Sequence, residues 1–214
     1  MINFRLYPNM TKAIIPKNIV LTNNNLDNAF KYMYKLQTIT QIDNVTSMNN
    51  TYYCCGGLTN AVCGDNVTSM SYTYYNCIKL TNAVCGNNVT NMYGTYDNCT
   101  NLTNAVCGNN VTSMSNTYAY CINIQGNTYF YSNNITNVRN CFHNRNVSNI
   151  LNIYVHDNST SLNTCLYKNT LSLVGTTITW TNDITNNNCY YNTTKNIYIY
   201  PVSNVEEARI NNGD

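Results

Sequence analysis

Eleven cysteines, two histidines and twenty tyrosines are the residues of this 214-residue chain with chemistry to offer. Thiols near imidazoles hold zinc or act as a nucleophile pair, and closely spaced thiols form disulfides. The spacing here argues against these uses. There is no C-x-x-C, only Cys54, Cys55 and Cys63 lie close in sequence, and His143 and His156 stand at no ligand spacing from a thiol. Cys141 and His143 are next-but-one neighbours, which do not face each other on a helix. Cys-Gly-Asn-Asn recurs but lacks the lysine of a phosphate-binding loop. No Ser-His-Asp set or carboxylate pair stands out. The expectation is a non-enzymatic chain with no cofactor and no metal, because only a site can argue catalysis.

The cysteines belong instead to a repeat. Val45, Val67, Val89 and Val111 are 22 residues apart, as are Met48, Met70, Met92 and Met114. Thr51, Thr73, Thr95 and Thr117 keep the step, and so do Tyr52, Tyr74, Tyr96 and Tyr118. Cys55, Cys77, Cys99 and Cys121 form one column, Cys63, Cys85 and Cys107 a second, and Leu58, Leu80, Leu102 and Ile124 another. Backwards the threonine column reaches Ala29, with Phe30, Met33 and Leu36 after it. Forwards the step lengthens to 24, through Cys141, Cys165 and Cys189. About eight repeats of 22–24 residues account for the chain.

Within one repeat, Ala83 and Cys85 alternate with Val84, as in a short strand with the first two inward. Asn88 follows at the turn, and Asn66 and Asn110 occupy the same place, so stacked copies build an asparagine ladder. Met92, Thr95, Tyr96, Cys99 and Leu102 then mark one face of a short, ragged helix or 3₁₀ segment, with Gly94 and Asn98 weakening it. Such units bury their apolar face only by stacking. The cysteines are then small core hydrophobes, with disulfides between adjacent coils as the rival arrangement. Cys54, where other copies have Asn76 and Asn98, is expected as an exposed thiol.

The pattern L-x-x-A-x-C-x-x-N-V-x-x-M-x-x-T-Y-x-x-C-x-x-L resembles the BspA-like leucine-rich repeat. Asn66-Val67-Thr68-Ser69-Met70-Ser71-Tyr72-Thr73-Tyr74-Tyr75-Asn76-Cys77 looks like the variant found in Mycoplasma-type surface lipoproteins and in bacteriophage proteins. The match is specific over 44–124 and weaker over 23–43 and 125–200, where Arg145 and Asn169 replace the helix cysteine. The resemblance implies an α/β repeat: a leucine-rich-repeat solenoid with short parallel strands on one face and short helices or 3₁₀ turns on the other. A right-handed parallel β-helix is the alternative. Residues 1–22 are read as an N-terminal cap or docking segment, 23–196 as the solenoid, and 197–214 as a final strand and capping helix. Ser203 and Glu206 form S-x-x-E ahead of Ala208 and Ile210.

Composition narrows the partners. Charged residues are 9%, against roughly 25% in ordinary domains, and the net charge is +2. Asparagine and threonine make up about a third of the chain. This excludes the basic footprint of nucleic-acid or anionic-membrane binding, and no apolar run is long enough to insert in a membrane. No signal peptide or lipobox is visible, and the Asn-x-Thr triplets at Asn44, Asn66, Asn88 and Asn110 are attributed to composition. Strand residues facing outward are the candidate concave binding face: Asn60, Val62, Asn82, Val84, Asn104 and Val106. Tyr75, Tyr129, Tyr131, Tyr154, Tyr198 and Tyr200 are unassigned and suit sugar or protein contacts. The leading expectation is a bacteriophage virion protein for host attachment or for capsid or tail decoration. Its partners would be other virion proteins, host surface protein or glycan, or further copies of itself. The alternatives are a cellular surface or extracellular adhesin and an intracellular interaction scaffold.

Overall fold

The computed structural model describes residues 7–15, 21–40, 44–146, 148–156, 181–183, 189–192 and 196–214. Its framework is a parallel stack of turn-rich runs. Bridges link Asn25, Ser47, Ser69, Asn91, Ser113 and Asn137 in succession, so six runs lie in register among the described residues.

Each run replaces the expected helix, and the backbone shows why. Thr95, Asp97 and Cys99 donate to Met92, Gly94 and Tyr96 three residues back, at 3.0–3.2 Å. The intervening Met92, Gly94, Tyr96 and Asn98 donate instead to Ser113, Ser115, Thr117 and Ala119 of the next run, at 2.8–2.9 Å. Every fourth residue is left-handed: Gly94 at φ 58° and Asn98 at 62°, Asn116 at 55° and Tyr120 at 58°, Asn140 at 55° and Asn144 at 57°. A right-handed helix admits no such residue, whereas asparagine and glycine accept this conformation at least cost. Turns repeating every four residues bury nearly the same offsets as a helix. Met92, Thr95, Tyr96, Cys99 and Leu102 are accordingly all fully buried.

The inward columns supply bonds that a helix would make for itself. Thr73, Thr95 and Thr117 donate Oγ1 to the carbonyls of Met48, Met70 and Met92 in the preceding run, each at 2.7 Å. Cys77, Cys99 and Cys121 do the same through Sγ to Tyr52, Tyr74 and Tyr96, at 3.0–3.1 Å. Small side chains that both pack and donate fit these columns. Phe30, Tyr52, Tyr74, Tyr96, Tyr118 and Phe142 form a ring stack with centroid steps of 5.3–5.7 Å. The ring at Phe142 confirms that Cys141 continues the threonine column. Arg145 takes the cysteine position and is buried, donating to Asn146 O (3.1 Å), Asn149 O (2.7 Å) and Asn196 O (2.7 Å).

The strands are fewer than the repeat suggests. β1 (Lys12–Ala13) pairs in parallel with β2 (Thr38–Ile39). β3 (Gly126–Phe130), β4 (Leu151–His156) and β7 (Ile197–Val202) form a parallel ladder, and β5 (Thr181–Asp183) and β6 (Cys189–Asn192) add antiparallel strands beyond β7. Residues 60–63 and 82–85 make no strand ladder. The tyrosine column causes this. Tyr74, Tyr96 and Tyr118 each donate to the carbonyl, and accept from the N–H, of Val62, Val84 and Val106, at 2.5–2.9 Å. Those backbone groups are thereby taken from neighbouring coils. Phe142 has no hydroxyl to clamp Tyr129, the residue aligned with Val106, and there the continuous ladder begins.

The repeat expectation also changes at the C-terminal end. Cys189 lies in β6, a strand, and not in a turn run; Cys165 and Asn169 lie outside the described residues. β7 pairs directly with β4, in parallel. α1 (Val205–Asn211) is capped by Asn204, whose side chain accepts from Glu206 N and Glu207 N, and not by Ser203. α1 packs on β3 and β4.

Candidate binding face

The expected face residues occupy one surface. Val62, Val84 and Val106 are half-buried, as are Asn60 and Asn104, while Asn82 is exposed. The asparagines partly tie the coils together. Asn104 Oδ1 accepts from Ala83 N at 2.9 Å, and Asn60 Nδ2 donates to Ile39 O at 3.3 Å. Asn82 Nδ2 reaches only its neighbour Thr81, at 3.3 Å. Ala83 and Cys85 face the other way: Ala83 is buried and Cys85 half-buried.

Register extends this face beyond the residues that spacing suggests. The bridge from Cys107 to Phe130 aligns Val106 with Tyr129 and Asn104 with Asn127. Strand pairing then aligns Tyr129 with Tyr154 and Tyr200, and Asn127 with Asn152 and Tyr198. The row therefore runs Val62, Val84, Val106, Tyr129, Tyr154, Tyr200. Its tyrosines stack at 5.0 Å and 4.9 Å, with rings within 19° of parallel. The lengthened step and the distance in sequence between β4 and β7 hide this continuity.

α1 brings charge to the row. Tyr129 Oη donates to Asp214 Oδ2 at 2.5 Å and accepts from Asn212 Nδ2 at 3.1 Å. Asn127 Nδ2 also donates to Asp214, at 2.9 Å. Tyr131 Oη donates to Glu206 at 2.8 Å, and Glu206 pairs with Arg209 at 2.7 Å. That guanidinium and the tyrosine hydroxyl hold the Glu206 carboxyl down at about 2. Between α1 and the row lies a cavity of about 700 Å³, lined by Asn104, Val106, Asn127, Tyr129, Glu206 and Arg209, among others.

A second regular surface lies along the turns. Asn44, Asn66, Asn88, Asn110 and Asn134 are exposed, and so are Thr46, Thr68, Thr90, Thr112 and Thr136. Each threonine from Thr46 on donates to the carbonyl of the preceding coil, at 3.1–3.3 Å. Asn88 Nδ2 and Asn110 Nδ2 reach the carbonyls of Asp65 and Asn87, at 2.7 Å and 2.8 Å. The ladder is thus a surface one that ties coils together. It also fixes the Asn-x-Thr triplets by register, because the middle residue, such as Val67 or Val89, is core.

Nine of the cysteines, Cys54 to Cys141, are free thiols. Burial pushes Cys55 up to about 12, and raises Cys77, Cys99 and Cys121 further. The strand column differs: Cys63 is half-buried and raised to about 11, while Cys107 is buried. Cys54 is half-buried and left-handed, and accepts from Asn76 Nδ2 at 3.5 Å. Tyr75 stacks on Tyr53 at 4.5 Å, on the turn side of the stack. Among the described residues no group of three or more His, Cys, Asp or Glu gathers as a metal site. None of the described helices is long and apolar enough to cross a membrane.

Parallel coils at a 22-residue step, with leucine, cysteine and asparagine columns, define a leucine-rich-repeat protein with a side-chain-lined outer face. The family model for the BspA type leucine rich repeat region matches six copies over residues 3–96 and 71–198. The chain belongs to that family. A crystal structure of a leucine rich cell surface protein from Faecalibacterium prausnitzii is similar in fold, with a TM-score of 0.50 and 21% identity. The match covers 68% of this chain and 38% of that one. No curated protein matches.

Proposed function

We propose that this chain is the recognition module of a surface protein, binding a host protein or glycan through its outer face without catalysis. The observation that supports it is the row from Val62 to Tyr200, an apolar and aromatic stripe with amides alongside. Tyr129 is buried and the other members of the row are half-buried, so the stripe keeps a contiguous, partly exposed apolar edge, and such an edge supports an interaction surface. The fold likeness to a cell surface protein supports a surface adhesin over a virion component. In this reading residues 23–196 form a solenoid of about eight repeats, 1–22 cap it or dock onto a partner, and 197–214 complete the face. A virion protein is the second reading, favoured by the neutral asparagine- and threonine-rich exterior. Mass spectrometry of purified particles separates the two.

The test is binding of labelled protein to panels of intact cells, with Val84→Glu as the variant. The valine side chain is half-buried on the outer face, so the variant folds and loses binding. Unchanged binding by Val84→Glu refutes the face.

A further inference from the structure

The turn side of the stack carries a second aromatic surface, which shares no residue with the outer-face row. Register sets its central column. The carbonyls of Tyr53, Tyr75, Asp97, Ala119 and His143 accept from Tyr32, Cys54, Asn76, Asn98 and Tyr120 N–H of the preceding coil, at 2.7–2.8 Å. These five therefore hold equivalent positions in successive coils, and Lys31 holds that position one coil earlier. Tyr53 and Tyr75 stack at 4.5 Å, and the Lys31 ammonium sits over the Tyr53 ring, 4.2 Å from its centroid. The chain thus already seats one cation of its own on this column.

Asp97 stands on the other side of the ring pair. Its carboxylate is half-buried and accepts no hydrogen bond from the described residues. Burial pushes it up to about 6, against a lowering by His143, and its charge acts on the hydroxyls of Tyr72 and Tyr75. Ala119, next in the column, brings no polar group. Tyr120 beside it is 44% exposed and meets His143 edge to face, 5.3 Å between ring centroids. A partly desolvated carboxylate without a donor costs free energy that an incoming cation recovers.

We propose that Asp97 and the tyrosines beside it form a subsite for an arginine side chain of a partner protein. A planar guanidinium pairs with a carboxylate and lies against an aromatic ring at the same time, which an ammonium does less well. A neutral side chain would leave Asp97 unpaired, and an acidic one would be repelled. The surface around the subsite suits a polypeptide more than a small organic cation. Tyr32, Tyr53, Tyr72, Tyr75 and Tyr93 make ring contacts of 4.5–6.5 Å across four coils, which offers broad amphipathic contact at low entropic cost.

Chemical-shift titration of the full chain with acetyl-Gly-Ser-Arg-Ser-Gly-amide, its citrulline counterpart and tetramethylammonium tests it. The arginine peptide binds saturably, and the uncharged citrulline peptide binds at least tenfold more weakly. Asp97→Asn, which keeps the shape and the backbone bonds, weakens arginine binding at least tenfold, while Asp65→Asn at an exposed position leaves it unchanged. If Asp97→Asn does not fold, Tyr120→Asn decides, with a weakening of threefold or more. Asparagine accepts the φ of 58° there, as it does at Asn76 and Asn98. The subsite is overturned if the arginine peptide does not bind, if citrulline binds equally, if tetramethylammonium binds in place of arginine, or if the variants keep full affinity. Val84→Glu leaves arginine binding intact, so this subsite and the outer face stand or fall separately.

Discussion

Replacing Tyr96 by Phe and, separately, Tyr52 by Phe removes one hydroxyl from the same ring stack with opposite consequences. Both rings are fully buried, and both stack on Tyr74 at 5.3 Å. Tyr96 Oη donates to Val84 O at 2.7 Å and accepts from Val84 N at 2.9 Å. Losing two hydrogen bonds at a net ~0.5–1.5 kcal/mol each makes Tyr96→Phe destabilising by about 2 kcal/mol. Tyr52 Oη is buried and has no partner among the described residues. Deleting a desolvated, unpaired hydroxyl stabilises by about 1 kcal/mol. Thermal unfolding followed by circular dichroism reads the contrast. At ~2–4 °C per kcal/mol for a chain of this size, the two variants melt about 6–12 °C apart, with wild type between. Equal shifts, or a Tyr52→Phe variant less stable than wild type, would refute the clamp as the source of stability.

Three further outcomes follow from the same geometry. Asn98→Ala is less stable than Asn98→Gly by about 1 kcal/mol in urea unfolding, because both lose the bond to Asn76 but only alanine resists φ 62°. Stability falls as pH rises above about 8.5, where unfolded thiols ionise, because burial holds Cys55 and Cys85 up at about 12. The folded thiols are favoured below that value, and their contribution is lost as pH rises through the folded pKa; alkaline melting curves check the sign. A thiol reagent applied to native protein modifies Cys54 before Cys77, Cys99 or Cys121, which react only on unfolding; mass mapping at short times checks the order.

Composition and spacing alone determined a good deal. The columns of Val67, Met70, Thr73, Tyr74, Cys77 and Leu80 follow from a strict step, since a side chain that recurs at one position in every coil stacks on its own copies. That step also made the family legible and gave the cysteines a packing role. The valine and asparagine row from Asn60 to Val106 was legible because alternation assigns faces to an extended segment. What spacing could not distinguish was a helix from turns of four residues, since both bury offsets of 3, 4 and 7. The left-handed residues at Gly94 and Asn98 separate them, and that choice is made by hydrogen bonds to the next coil.

The tertiary structure alone decided the rest. It showed that the tyrosine hydroxyls displace the strand ladder and that Phe142, by lacking one, restores it. It placed β7 against β4, far apart in sequence, which joins Tyr154 to Tyr200 in one row. It also laid α1 across β3 and β4, bringing Glu206 and Asp214 to Tyr131 and Tyr129 more than seventy residues away in sequence. The physical reason is the same throughout. A periodic sequence specifies which residues stack on their own copies. Which non-equivalent residues meet depends on how each coil satisfies its backbone polar groups, and that is settled only between coils.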